Sequence, residues 1–396
     1  MKKIKSILNF TAIFLLILIV FQGCLKDGQS EGIIQVSGRQ PLKIGIILPA
    51  TGPYEFIAQK HLSAIKAAIK IAPVIAGRNI MIITRDSKGD YNTTVEAISL
   101  LAKEGVAGII LIAYGNEAME LGPLYCPEFN KKNYTLVQIP VPVIIINTPD
   151  AASKTCNGIW RLLPSSKELI ETSLHFIKST MKTSRIAVIL DSEENDSIKF
   201  VTVFLKEFIN SGGTIVDIYN INEKESLSRL SQLRNKNPSL ILIPNANIKT
   251  SEIAKLLRSD NIKAPVLFIQ SSQDKKVLDA LRELAEIYLI SDFSFQPTKN
   301  ERCKRLLEIF SREKIAPETG SIISADALFL LVDAADLPNN TKSNTISLLS
   351  KINNGMYLTG RIGLMEDGSV QKTLFVIKLN ESDNELIEEI KLIYQN

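Results

Sequence analysis

At 396 residues the chain is long for a single core, and two domains are the expectation. Its hydrophobic content of 45% and charged content of 22% are those of a globular protein. The net charge of +4 is spread along the chain, with no basic block interleaved with aromatics, and this excludes a nucleic-acid partner.

The first 24 residues are a different material. Lys2, Lys3 and Lys5 precede an apolar run from Ile7 to Phe21, a charged n-region and an h-region too short to span a bilayer comfortably. The run ends at Phe21-Gln22-Gly23-Cys24, and glycine before cysteine resembles a bacterial lipobox. Residues 1–24 read as a lipoprotein signal peptide, with Cys24 the lipidated N-terminus, although Phe21 and Gln22 depart from the usual small or aliphatic residues. An uncleaved anchor is the other reading. Either way the body is exported and held to the cell envelope, at the periplasm or cell surface, and residues 25–40 form a tether.

The body opens with Lys43-Ile-Gly-Ile-Ile-Leu-Pro-Ala-Thr-Gly-Pro-Tyr54, on which the rest is organised. Lys43 to Leu48 is an aliphatic run suited to a parallel strand covered on both faces, and Pro49 and Gly52-Pro53 turn the chain out of it. Ile57, Ala58, Leu62, Ile65, Ala68 and Ile69 then recur at helical spacing. Strand, loop and helix in this order open a doubly wound domain, whose ligands gather at the carboxyl ends of its strands.

The rhythm continues with strands at Asn79 to Thr84, Ala107 to Ala113 and Val141 to Ile146. Asn92 or Thr93 is placed to cap the helix between the first two, and Gly105 to stop it. Gly122 to Gln138 reads as an insertion. After Trp160-Arg-Leu-Leu-Pro164 the alternation restarts, with strands at 185–190, 214–218, 240–243, 266–269 and 287–291. From Asp292 it breaks into helices, a short strand and turn at Gly360–Gly368, a strand at Thr373 to Leu379 and an acidic-apolar tail. Two βαβ series and a tail able to cross between them make two similar α/β lobes with a cleft between.

Of the cysteines after Cys24, Cys126 and Cys156 flank one segment and Cys303 lies far away. An exported chain can form disulfides, so a Cys126–Cys156 bridge is expected, with Cys303 buried and free. No Cys-x-x-Cys pattern or histidine cluster suggests a metal. His61 and His175 are the only histidines, each within a helical pattern, and satisfied or solvent-facing roles suit them better than catalysis. A Gly-x-Ser-x-Gly elbow, a phosphate loop and a Gly-x-Gly-x-x-Gly turn after the first strand are all absent. The reading is of a non-enzyme without a cofactor.

Candidate ligand residues sit just past the predicted strand ends: Thr51, Tyr54, Tyr114, Asn116, Thr148, Ser153, Asn195, Asn245 and Ser271. The same residue types are also favoured as caps and turn formers.

The order and spacing of several segments resemble the periplasmic binding proteins of the branched-chain amino-acid (Leu/Ile/Val) type, solute receptors of ABC importers. The segments are Ile44 to Pro53, Glu104-Gly105-Val-Ala-Gly-Ile-Ile, Asn147-Thr148-Pro149-Asp150-Ala151, Trp160 to Pro164 and Gly363-Leu364-Met-Glu-Asp-Gly368. The resemblance spans about residues 41 to 380 and implies the type I fold: two Rossmann-like lobes with parallel sheets, joined by three crossovers. On that pattern lobe one is 41–163 with 293–353, and lobe two is 164–292 with 354–396. It implies a monomer that closes on a small polar molecule and is recognised by a membrane permease. Positions matching the family's ligand set are Gly115 and Asn116, Ala152 and Ser153, then Asn195, Ala246 and Ser271. The acid expected to meet an ammonium group is replaced by serine near 271, and the expected aromatic by Asn195. A buried ammonium without a carboxylate is costly, so zwitterionic amino-acid binding is in doubt unless Asp150, Glu193 or Asp292 substitutes. The alternative is a regulatory envelope lipoprotein of the same fold that binds a protein through a degenerate cleft.

Overall fold

In the computed structural model the described residues are 40–75, 77–114, 117–118, 121–126, 141–146, 155–270, 275–294, 301–315, 319–336, 345–381 and 384–391. The first sheet is built from β1 (Leu42–Leu48), β2 (Val74–Ile75), β3 (Arg78–Asp86), β4 (Ile109–Ile112), β5 (Val143–Ile146) and β6 (Ile159–Arg161). Its spatial order is β2-β3-β1-β4-β5-β6. All neighbours run parallel except the β2–β3 hairpin.

The burial of β1, β4 and β5 explains their composition. Helices cover both faces, so neither face can be polar and the alternation of a half-exposed strand disappears. One face packs on the helices Glu55–Ile71, Glu301–Glu313 and Thr319–Asp336, and the other on Tyr91–Lys103. Thr319–Asp336 is buried almost throughout, which is why its sequence is apolar on every side. Among the described residues no helix is long and apolar enough to cross a membrane.

The helix Tyr91–Lys103 is capped by Asp90, whose carboxylate accepts from the Thr93 amide at 2.8 Å, rather than by Asn92 or Thr93. An acid serves this end better because it also meets the positive pole of the helix dipole.

The second sheet contains β7 (Arg185–Leu190), β8 (Thr214–Asn220), β9 (Leu240–Asn245), β10 (Val266–Gln270) and β11 (Ile287–Ser291), then β12 (Gly355–Tyr357), β13 (Gly360–Leu364), β14 (Val370–Leu379) and β15 (Asn384–Lys391). Its order is β8-β7-β9-β10-β11-β14-β13-β12, with β15 on β14. Strands β7 to β11 are mutually parallel, but β14 joins β11 antiparallel and β15 joins β14 antiparallel. The sheet is therefore mixed where purely parallel sheets were expected. A chain returning from the far lobe has no crossover helix with which to enter in parallel. The acidic-apolar tail is β15, and its alternation places Ile390 in the core while Glu389 is exposed.

Strand β14 serves both halves. Val370, Gln371 and Lys372 pair with β13, and Phe375 to Leu379 pair with β11. Tyr357, Leu358, Ile362 and Leu364 pack in the core of the first sheet, whereas Phe375 and Ile377 lie in a core of the second. The expected division at 353/354 falls just before β12, and Tyr357, Leu358, Ile362 and Leu364 beyond it pack in the core of the first sheet.

Cys126 and Cys156 are bonded, with Cα atoms 5.8 Å apart, and Cys303 is free and buried. The bridge ties the helix Leu121–Tyr125 to the approach of β6.

Candidate functional site

Sequence order and spatial order part company once among the parallel strands of each sheet. In the first, the chain goes from β1 to β3 on one side and then to β4 on the other; in the second, from β7 to β8 and then to β9. At such a switch point the loops leaving two neighbouring strands diverge to opposite faces and open a crevice, where ligands of open α/β sheets sit.

At the first switch point, Asp86 ends β3 and organises the loop after β1. Its Oδ2 accepts from Thr51 Oγ1 at 2.7 Å, and its Oδ1 accepts from the amides of Ala50 and Lys88, each at 2.9 Å. Burial opposes ionisation, but these hydrogen bonds hold the Asp86 carboxyl below the usual range. The Thr51 hydroxyl is thus engaged in fixing the loop.

Tyr54 precedes the helix Glu55–Ile71, and its ring stacks on Tyr114, past the end of β4, with centroids 5.0 Å apart and planes 17° from parallel. Behind this pair is a buried relay. The Tyr114 hydroxyl is 3.0 Å from His61 Nε2, and His61 Nδ1 is 3.1 Å from the Gly320 carbonyl and 2.7 Å from Ser324 Oγ. A carbonyl can only accept, so the network assigns the proton to Nδ1 and makes Nε2 the acceptor for Tyr114. Burial pushes the His61 pKa down to about 4, which keeps the ring neutral. Tyr114 is therefore clamped at its hydroxyl and on one face.

Glu117 completes this corner. It is fully buried; its Oε1 accepts from the Tyr114 amide at 3.4 Å, and Ser87 donates to the carboxyl. Oε2 accepts no hydrogen bond among the described residues. Burial pushes its pKa up to about 7, and the charges of Asp86 and Asp90 push in the same direction. Glu117 was missed among the candidate residues. The available signal was an acid in the loop leaving a wholly apolar strand.

At the second switch point Ser197 Oγ donates to Asn245 Oδ1 at 3.0 Å, and Asn247 Nδ2 donates to Glu194 Oε1 at 2.8 Å. Asn247 also caps the helix Ile248–Ser259 through a reciprocal pair with Thr250. Lys249 pairs with Glu193 at 2.6 Å and lies 3.8 Å from the buried Asp191. Glu193 is thus committed to a lysine, as is Asp292 at the crossovers.

Among the expected ligand residues, Tyr54 and Tyr114 are brought together, Thr51 lies beside them in the same loop system, and Asn245 is at the corresponding place in the other sheet. Gly115, Asn116, Thr148, Ser153 and Ser271 lie outside the described residues, as does Cys24. Asn195 opens the helix Asn195–Asn210, and its side chain is likewise outside them.

Where the chain passes between the lobes, buried charges meet. Lys372 on β14 is 3.1 Å from Asp292, just past β11, and their side chains are only 1% and 7% exposed. Asp326 accepts from the amides of Leu358 and Thr359 at 2.7 and 2.8 Å and from the Thr359 hydroxyl at 2.6 Å. Burial lifts its pKa to about 6 against those hydrogen bonds and the charge of Lys372. On the first passage Glu168 closes a capping box with Ser165; burial raises its pKa, and Arg161 and Lys372 oppose the rise.

Two α/β lobes with mixed, mostly parallel sheets, each with a polar switch point, define a two-lobed binding protein. The chain belongs to the periplasmic binding protein family, whose model matches residues 41–384. No curated protein matches it. Among solved structures it is similar to the leucine-binding protein LivK of Thermotoga maritima, with 17% identity, a TM-score of 0.62, and coverage of 88% of this chain and 99% of that one. It is also similar to LivJ of Streptococcus pneumoniae, solved with isoleucine (16% identity, TM-score 0.63, coverage 89% and 100%). A third is a solute-binding protein of Rhodopseudomonas palustris HaA2 solved with p-hydroxybenzoic acid (14% identity, TM-score 0.64, coverage 89% and 97%). At these identities the likeness establishes the fold.

Proposed function

We propose that this chain is the solute receptor of an ABC importer: an exported lipoprotein, anchored through Cys24, that closes two lobes on a small polar molecule and presents the closed form to a membrane permease. The observation that carries the reading is the switch point repeated in both sheets, with Tyr54, Tyr114 and Glu117 at one and Asn245, Asn247 and Glu194 at the other. Ligand contacts to both lobes favour the closed population, and the crossovers at Arg161, Asp292 and Lys372 form the hinge. The protein acts as a monomer without a cofactor and does no chemistry on its ligand. The relatives solved with an amino acid and with an aromatic acid supply the ligand classes to try first.

The test is a thermal-shift screen with amino acids, amides, short peptides, sugars, nucleosides, aromatic acids and amines, followed by small-angle scattering with each hit. A ligand at a hundred times its dissociation constant adds about 2.7 kcal/mol of stability. A hit accompanied by compaction is expected. A hit without compaction removes the closure mechanism, and no hit removes the solute reading.

One observation favours a second reading. Thr51, Tyr114 and Asn245 each spend a polar group on another residue of this chain (Asp86, His61 and Ser197), as in a cleft that has lost its solute. A regulatory envelope lipoprotein that docks a protein fits that pattern. Pull-down from envelope extract separates the two, because a stable non-permease partner favours the second.

A further inference from the structure

Glu117 is an acid that the fold has buried without completing its hydrogen bonds. It lies past the end of β4 at the switch point, where the neighbouring turns are already held by Asp86 and Asp90. One of its oxygens is engaged and the other accepts nothing among the described residues. A buried polar oxygen left this way is destabilising, and a core position would avoid it with an aliphatic side chain.

Its neighbours indicate which chemistry would satisfy it. Gly89 separates it from the aromatic pair: a Cβ on Gly89 would lie 3.6 Å from Glu117 Oε1 and 3.8 Å from Tyr54 Cδ2. The engaged oxygen of the carboxyl and the partly exposed Tyr54 ring therefore flank the same glycine. The other charges near it, Asp86 and Asp90, are both held ionised by their hydrogen bonds. Aromatic faces and carboxylates attract the same kind of partner, a cation bearing N–H donors.

We propose that Glu117 is the specificity-determining residue of lobe one, and that the ligand presents it with a cationic N–H group, an ammonium or guanidinium, beside the Tyr54 ring. This inference rests on the solute-binding reading. It reverses the charge expected of an aromatic-acid ligand, whose carboxylate would meet three acids at this corner. Because Glu117 titrates near pH 7, docking of a cation at pH 6 ionises it and releases a proton, whereas at pH 8.5 it releases none. The titratable groups that face it are Asp86 and Asp90, both ionised throughout that range, with Ser87 and the Tyr114 amide as donors.

The experiment is isothermal titration of the purified chain with phenethylamine, putrescine, agmatine, arginine, leucine and 4-hydroxybenzoate, at pH 6 and pH 8.5 and in buffers of different ionisation enthalpy. At least one amine or guanidine is expected to bind, with proton release at pH 6 only. Glu117→Gln is expected to weaken it at least tenfold and to abolish the proton release. Tyr54→Leu, at an exposed position that cannot unfold the core, is expected to weaken the same probe severalfold. If leucine or 4-hydroxybenzoate binds with an affinity that Glu117→Gln leaves unchanged and no amine or guanidine binds, solute binding stands and the inference is overturned. If an amine or guanidine binds equally well to Glu117→Gln, the inference is overturned as well. Binding of none of the probes overturns the inference, and the broader screen above then decides whether the solute reading survives.

Discussion

Lys372 and Asp292 form an ion pair at 3.1 Å that is almost wholly removed from water, and it joins β14 to the end of β11 where the chain passes between lobes. A buried pair of this kind adds little over well-packed apolar side chains, but each partner makes the other tolerable. Lys372→Met leaves Asp292 buried without its cation and is expected to cost about 3–5 kcal/mol, read from chemical denaturation. The double variant Lys372→Met/Asp292→Leu is expected to recover most of that loss. A single variant as stable as the parent would show that water reaches the hinge.

The His61 relay predicts an acid-sensitive fold. The folded pKa of about 4 lies below the ordinary 6.5, so between these values the unfolded chain binds a proton that the folded chain does not. Stability must therefore fall as pH falls through that window, by about 3 kcal/mol over its full width. His61→Gln removes the titration, so the stability difference between variant and parent should shift in favour of the variant from pH 6.5 to pH 4. Equal slopes for the two would remove His61 from the acid response.

The Cys126–Cys156 bond closes a loop with a sequence separation of 30. In the chain-entropy account a loop of that size is worth about 3–4 kcal/mol. Denaturation with and without reductant should show a loss of that order. A midpoint indifferent to reductant would mean that the unfolded chain is already constrained there.

Gly368 sits against the backbone of the same disulfide. A Cβ on it would come within 2.3 Å of the Cys156 amide nitrogen and 2.6 Å of its Cα, and its φ of +80° is in the left-handed region. Neither neighbour is a flexible side-chain end that could swing away. Gly368→Ala is expected to cost about 2–4 kcal/mol by thermal denaturation. Trp160 holds the same turn from the other side, donating from Nε1 to the Met365 carbonyl at 2.8 Å.

The strand–helix alternation was legible because burial on both faces leaves a composition nothing else produces, as in Val143–Ile146 and Leu240–Asn245. Strand β6 was not, since three residues ending in Arg161 carry no period. Nor was the far end of β14, because a strand that changes cores halfway looks like one strand in sequence. The site was legible as loops. Thr51 and Asn245 stood out by type, but whether a hydroxyl or amide faces a ligand or a neighbouring loop depends on partners 35 and 48 residues away.

By itself, then, the sequence determined the framework: which apolar runs are buried parallel strands, where most helices fall between them, and that two α/β series share one chain. These follow from hydrophobic period and turn chemistry, which act over a few residues. Only the tertiary structure decided that Asp86 fixes the loop of Thr51, that His61 clamps Tyr114, that Lys372 meets Asp292, and that Glu117 is buried with an oxygen to spare. The energy of a buried polar group is set by what lies within about 3 Å of it. In this chain those neighbours come from distant segments.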